Sequence, residues 1–159
     1  MRISGTTASY DREEILRTAE EFRSRGRIRK AISEYEKILS VDRRDIDIHM
    51  KIAPLYIRVR RKDHAKDSLR QVIIWYEKRG FLEKAIATLR LALTVDRRNL
   101  NVYLHLAELY LSKDHFSNAR NVLLEARKVF HGKWYPPPKV SSLQHVEYHR
   151  MRQGVRRRQ

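Results

Sequence analysis

Residues whose types could do chemistry are few and scattered. His145 and His149 lie four places apart in the segment His-Val-Glu-Tyr-His, with the glutamate two places after the first histidine and no third ligand in view. A zinc site needs three or four converging ligands, so this pair points to no metal. The five glycines are dispersed and build no phosphate-cradling loop, and serine, histidine and aspartate occur at no spacing that suggests a triad. There is no cysteine, which excludes thiol nucleophiles, thiolate metal sites and disulfides. Carboxylates recur at helical intervals, as on ordinary charged faces. The reading is of a chain that is not an enzyme and carries no cofactor.

Positive charge is the stronger chemical signal. Lys and Arg number 35 against 19 Asp and Glu, a formal net charge of +16, and residues 131–159 hold +6 of it. Such an excess favours an acidic partner, whether acidic protein, nucleic acid or an anionic lipid surface, and it also confers solubility.

The elements that must position these cations follow from periodicity. A chain of 159 residues, 42% hydrophobic and 34% charged, suits one charged helical domain. The N-terminal stretch has no apolar signal region and no run approaches 18 apolar residues, so a soluble, cytoplasmic protein is expected. Apolar residues recur at helical spacing from Ile15 to Phe130, interrupted by polar turns. This predicts seven helices over 12–25, 28–41, 46–60, 63–79, 82–95, 100–113 and 116–130, after an unstructured lead at 1–10. Two stretches 54 residues apart, 25–44 and 79–98, share an Arg-Gly pair, a Lys-Ala-Ile triplet, a leucine and a closing Val-Asp-Arg-Arg. Self-similarity at a fixed period marks a repeat architecture.

Counted from Arg12, the residues Ile15, Ala19, Phe22, Gly26, Ala31, Tyr35 and Ile38 alternate large, small and aromatic types through two helices. Tyr103, Leu106, Ala107, Tyr110, Ala119, Leu123 and Ala126 repeat the pattern from Leu100. It resembles the tetratricopeptide repeat (TPR) family, a helix-turn-helix unit of 34 residues. The family's closing proline is replaced by Arg43 and Arg97. The resemblance implies an all-α, TPR-like right-handed solenoid over 11–130, followed by a basic tail. Alanines at the second-helix place are Ala31, Ala65, Ala85 and Ala119, in steps of 34, 20 and 34. The short step leaves one helix, 63–79, to serve two repeats, so the solenoid is two three-helix units with a seventh helix.

That sharing has consequences for the surface. Turns after helices 1, 3 and 5 fall on one edge and gather Arg23, Arg25, Arg27, Arg29, Lys30, Arg58, Arg60, Arg61, Lys62, Arg97 and Arg98. Cations near helix C-termini favour the macrodipole, and their number here exceeds that need. In the family, first helices line a groove. Here that implies Met50, Pro54 and Ile57 on helix 3 and Leu104, Glu108 and Leu111 on helix 6, in opposite layers, hence two short grooves facing different ways. The first-helix places Leu16, Glu20, Met50, Pro54, Leu104 and Glu108 do not match the Lys, Asn and Arg with which some members clamp C-terminal carboxylates. Pro54 in mid-helix removes a backbone hydrogen bond and should bend helix 3.

In the tail, Pro136–Pro138 should stay extended and end the solenoid, while Trp134 and Tyr135 either fold back on helix 7 or anchor a partner. Leu143, Val146 and Met151 suggest a short helix over 141–153, and Arg156, Arg157 and Arg158 form a basic arm able to reach phosphates. The expected function is a protein-interaction module, an adaptor or assembly factor binding another protein or an acidic peptide through grooves and the basic edge. The alternative is a nucleic-acid-associated protein using that edge and arm; membrane recruitment is less favoured because the tail's apolar face is narrow.

Overall fold

The computed structural model describes residues 11–130, and seven helices occupy nearly all of them. They are α1 (Arg12–Ser24), α2 (Ile28–Val41), α3 (Ile46–Arg58), α4 (Lys62–Lys78), α5 (Leu82–Val95), α6 (Leu100–Ser112) and α7 (Phe116–Val129). The expectations at 1–10 and 131–159, including the 141–153 helix, His145, His149, Trp134, Tyr135, Arg156, Arg157 and Arg158, lie outside the described residues. The chain folds as the TPR-like antiparallel solenoid, each helix packing on its sequence neighbours. Among the described residues there is no strand and no helix long and apolar enough to cross a membrane.

Two turn types organise it. After α1, α3, α4 and α6 the chain reverses through a left-handed residue, at Gly26 (φ 70°), Arg60 (φ 60°), Gly80 (φ 73°) and Asp114 (φ 57°). In each, the following amide donates back five residues, Arg27 to the Phe22 carbonyl at 2.8 Å, Arg61 to Tyr56 at 2.9 Å, Phe81 to Tyr76 at 2.8 Å and His115 to Tyr110 at 2.9 Å. This is the Schellman closure, and it lets paired helices return at close range. After α2 and α5 the turn is different: Asp42 and Asp96 accept from the amides of Arg44 at 2.9 Å and Arg98 at 3.2 Å. An Asx turn of this kind leads into the next helix without a left-handed residue.

The Schellman turns step by 34, 20 and 34 residues, as the alanines do. Helix α4 therefore begins after one such turn and ends in another. It lies about as closely on α5 as on α3, whereas α2 with α3 and α5 with α6 meet more sparsely. The shared helix is thus a structural fact: α4 is the second helix of one pair and the first of the next.

Packing explains the spacing. Ala19, Ala31, Ala65, Ala85 and Ala119 are buried and allow helices to approach, while Tyr35, Ile38, Ile52, Leu89 and Leu106 fill the space between. Two apolar clusters result. One joins α1 to α4 with Ala92 and Val95 of α5, and the other joins α5 to α7. Helix α4 gives Ala65 and Leu69 to the first and Ile73 to the second. No pair buries its apolar face alone, so the units stabilise one another.

The expected boundaries need correction at several ends. Helices 1, 3, 4, 6 and 7 stop one or two residues earlier than expected, because the positive-φ or capping residues that follow cannot continue the helix. The break placed at Lys62–Asp63 lies at Val59–Arg61 instead, with Lys62 already helical. Helix α3 runs through Pro54 as a single helix.

Candidate functional site

Six residues were expected to line grooves, and the structure divides them. Met50 and Ile57 on α3 are half-buried and Pro54 is exposed; on α6, Leu104 and Leu111 are half-buried and Glu108 is exposed. Helices α3 and α6 are not packing partners, and strict alternation of neighbours would set them in opposite layers, so the two sets do not meet in one site. Each layer has its own lateral ties. Lys51 of α3 donates to Glu20 of α1 at 2.7 Å, and Arg12 pairs with Asp45 at 2.8 Å. On the other layer His105 of α6 pairs with Glu77 of α4, and Lys66 lies 3.7 Å from Asp96.

The α1–α3 tie is electrostatically tuned. Partial burial pushes the Glu20 carboxyl up, but hydrogen bonds from Lys51 and Tyr35 outweigh it and hold the group below its usual range. Tyr35 donates to Glu20 at 2.8 Å, and burial together with that carboxylate keeps its hydroxyl protonated well above the ordinary range. These groups are engaged in holding α1, α2 and α3 together rather than presented to a ligand.

The cations expected to form a basic edge are uneven in their pairing. Arg23 and Arg25 are neutralised by Glu20 and Glu21 one turn earlier on α1, and Arg61 is bound to Glu36. Lys30 sits 5.5 Å from the centre of the Phe22 ring. Among the described residues no carboxylate lies within 4.0 Å of the side-chain nitrogens of Arg27, Arg29, Arg58, Arg60, Lys62, Arg97 or Arg98. The charge at this edge therefore concentrates on the α1–α2 and α3–α4 turns, with Arg97 and Arg98 as an extension.

Between these two turns lies a cleft of about 370 Å³, lined by Arg29, Ile32, Ser33 and Glu36 of α2 and by Val59 and Arg61 beside α4. Its floor is fixed: Tyr56 donates to Glu36 at 2.9 Å, and Arg61 donates to the same oxygen at 2.9 Å. Burial and the neighbouring Glu36 raise the Tyr56 hydroxyl, which stays a donor. Sequence reasoning missed Ile32, Ser33, Glu36 and Val59. Only the spacing of 29, 32, 33 and 36 on one helical face signals them.

A second missed feature lies on the opposite edge. Around the α4–α5 turn, Trp75, Tyr76 and Phe81 cluster with ring centres 5.4 to 6.4 Å apart, and Arg79 and Lys84 lie over the rings. Phe81 and Tyr76 are the residues the Schellman turn brings together, which accounts for the cluster as a helix-end contact. Among the described residues no group of three potential metal ligands occurs.

No family model matches the chain, and no curated protein matches it. Solved structures do. A MamA fragment from Desulfovibrio magneticus overlaps with a TM-score of 0.40 at 15% identity, covering 79% of this chain and 78% of that one. A crystal structure of MamA protein overlaps with a TM-score of 0.40 at 17% identity, covering 77% and 74%. Overlap at that level carries no functional argument. The surfaces themselves remain the guide.

Proposed function

We propose that this chain is a non-catalytic protein-interaction module, an adaptor or assembly factor, with binding surfaces on two opposite layers. The observation that carries the reading is the double role of α4. Because it opens the second unit as well as closing the first, first-type helices fall on one layer as α1 and α3 and on the other as α4 and α6. Each layer presents apolar side chains beside exposed ones, Met50 and Ile57 with Pro54, and Leu104 and Leu111 with Glu108. Such a strip suits a partner helix or an extended segment. The expected partners are proteins, taken up in the cytoplasm.

The test is recovery of partners by the 159-residue chain from native lysate, with and without nuclease. Pro54→Arg and Glu108→Arg change exposed positions without opening the core. Proteins retained after nuclease and lost separately in the two variants support the reading; a protein set indifferent to both contradicts it.

Nucleic-acid association keeps one observation in its favour, the edge cations that have no carboxylate within reach. Copurifying 260 nm absorbance that vanishes with nuclease, and binding that falls steeply with salt, would favour it over the adaptor.

A further inference from the structure

The cleft between α2 and the start of α4 joins three features that no helix-end requirement explains. Arg29 stands in the first turn of α2 with no carboxylate within 4.0 Å among the described residues, so it is not there to neutralise a neighbour. Arg61 is held in place by Glu36, which is itself held by Tyr56. Val59 supplies a half-buried aliphatic edge beside the buried Ile32, and Ser33 adds a hydroxyl. A planar guanidinium fixed by a carboxylate on one side still offers its remaining N–H groups to a second acceptor.

Around the cleft the field is one-sided. Residues 23–30 and 58–62 together carry nine cations, and the neighbouring acids Glu20, Glu21 and Glu36 are already bound to Arg23, Arg25 and Arg61. The net field draws an anion, and the half-buried Val59 suits a small apolar group beside it. None of the six lining residues is aromatic, so an unpaired base would find no stacking surface.

We propose that this cleft is a docking site for an internal acidic segment of a partner protein, in which an Asp or Glu carboxylate bridges Arg29 and Arg61 while an adjacent aliphatic side chain lies on Val59. The surrounding Arg27, Arg58, Arg60 and Lys62 steer the segment and set its charge preference. The site lies on α2 and the α3–α4 turn and uses none of the residues of the α1, α3 strip or of the α4, α6 strip. It rests on the reading of the chain as a protein-interaction module and adds a third, electrostatically distinct surface to it.

The experiment is fluorescence anisotropy of the 159-residue chain with a labelled nine-residue peptide, Asp-Asp-Leu repeated three times, at physiological salt. Arg29→Glu is compared with Arg120→Glu, an exposed change of equal charge on α7, after both are shown to keep the wild-type helical circular dichroism. Loss of one bridging cation with introduction of a like charge should weaken binding by at least about tenfold, against less than about twofold for Arg120→Glu. Replacing each Leu of the peptide by Gly should weaken binding several-fold, and Arg61→Ala should mirror Arg29→Glu. Equal effects of Arg29→Glu and Arg120→Glu would show diffuse attraction only and overturn the site. So would a labelled oligothymidine that binds more tightly than the peptide and displaces it. If the peptide fails while Pro54→Arg and Glu108→Arg still remove protein partners, this cleft is wrong and the adaptor reading survives.

Discussion

Gly26 and Arg60 hold the same left-handed turn position, at φ 70° and φ 60°, one ending α1 and the other ending α3. Glycine reaches this region without penalty, while a residue with a Cβ is strained there. The fold has kept an arginine where its own repeat uses glycine. Arg60→Gly is therefore expected to raise stability by roughly 1 kcal/mol, read as a higher denaturant midpoint at unchanged slope. Asp114→Gly should act alike, and unchanged or lower midpoints in both would contradict the strain argument.

His49 and Tyr103 stand 54 residues apart at the same place in the two units and end differently. His49 is buried and its ring nitrogens meet Ser68 Oγ at 3.2 Å and the Arg43 carbonyl at 3.0 Å. The Tyr103 hydroxyl is buried with Arg97 near it but no hydrogen bond of good geometry. Tyr103→Phe should be neutral or stabilising by up to about 1 kcal/mol, whereas His49→Phe should cost about 1 to 3 kcal/mol by stranding buried polar groups. Thermal unfolding of the two variants side by side checks this, and the reverse order would refute it.

The Glu20 carboxyl sits below its ordinary range, so the folded state binds its proton less readily than the unfolded chain. Its contribution is complete above the ordinary carboxylate range and is lost as pH falls through the lower folded value. Glu20→Gln should cost roughly 1 kcal/mol at pH 7, where Lys51 and Tyr35 still face an ionised wild-type partner. The gap between variant and wild type should close as the pH drops below the ordinary carboxylate range and Glu20 protonates in both states. A gap independent of pH would mean that shape, not charge, matters there.

Pro54 leaves the Met50 carbonyl without its amide donor in mid-helix, and its exposure means that no core contact repays the loss. Pro54→Ala should raise stability by about 1 to 3 kcal/mol. If partner capture falls as stability rises, the proline serves the α3 surface. Lower stability would contradict the account of α3.

The repeat could be read from the chain because its steric requirements repeat in residue type. Ala31, Ala65, Ala85 and Ala119 announce close helix pairs whatever surrounds them, and their uneven steps reveal the shared α4. Helix ends were less legible, since Arg60 and Asp114 do not advertise a positive φ as Gly26 and Gly80 do. The groove residues followed from register alone. The pairing of Arg23 and Arg25 with acids three and four residues earlier was present in the spacing, but a search confined to the cationic run passes over it. Of the cleft only the cations Arg29 and Arg61 and the shared face of 29, 32, 33 and 36 were legible, because Val59 and Arg61 come to α2 only through tertiary packing.

The central claim is that one chain engages partners on both layers. A photo-crosslinking amino acid at position 54 and another at position 108, introduced singly and together in the 159-residue chain, tests it in the native lysate. Protein adducts at each position, with a doubly substituted chain joined to two partner molecules at once, are the predicted result. Adducts at one position only, or nucleic acid in place of protein at both, would contradict it.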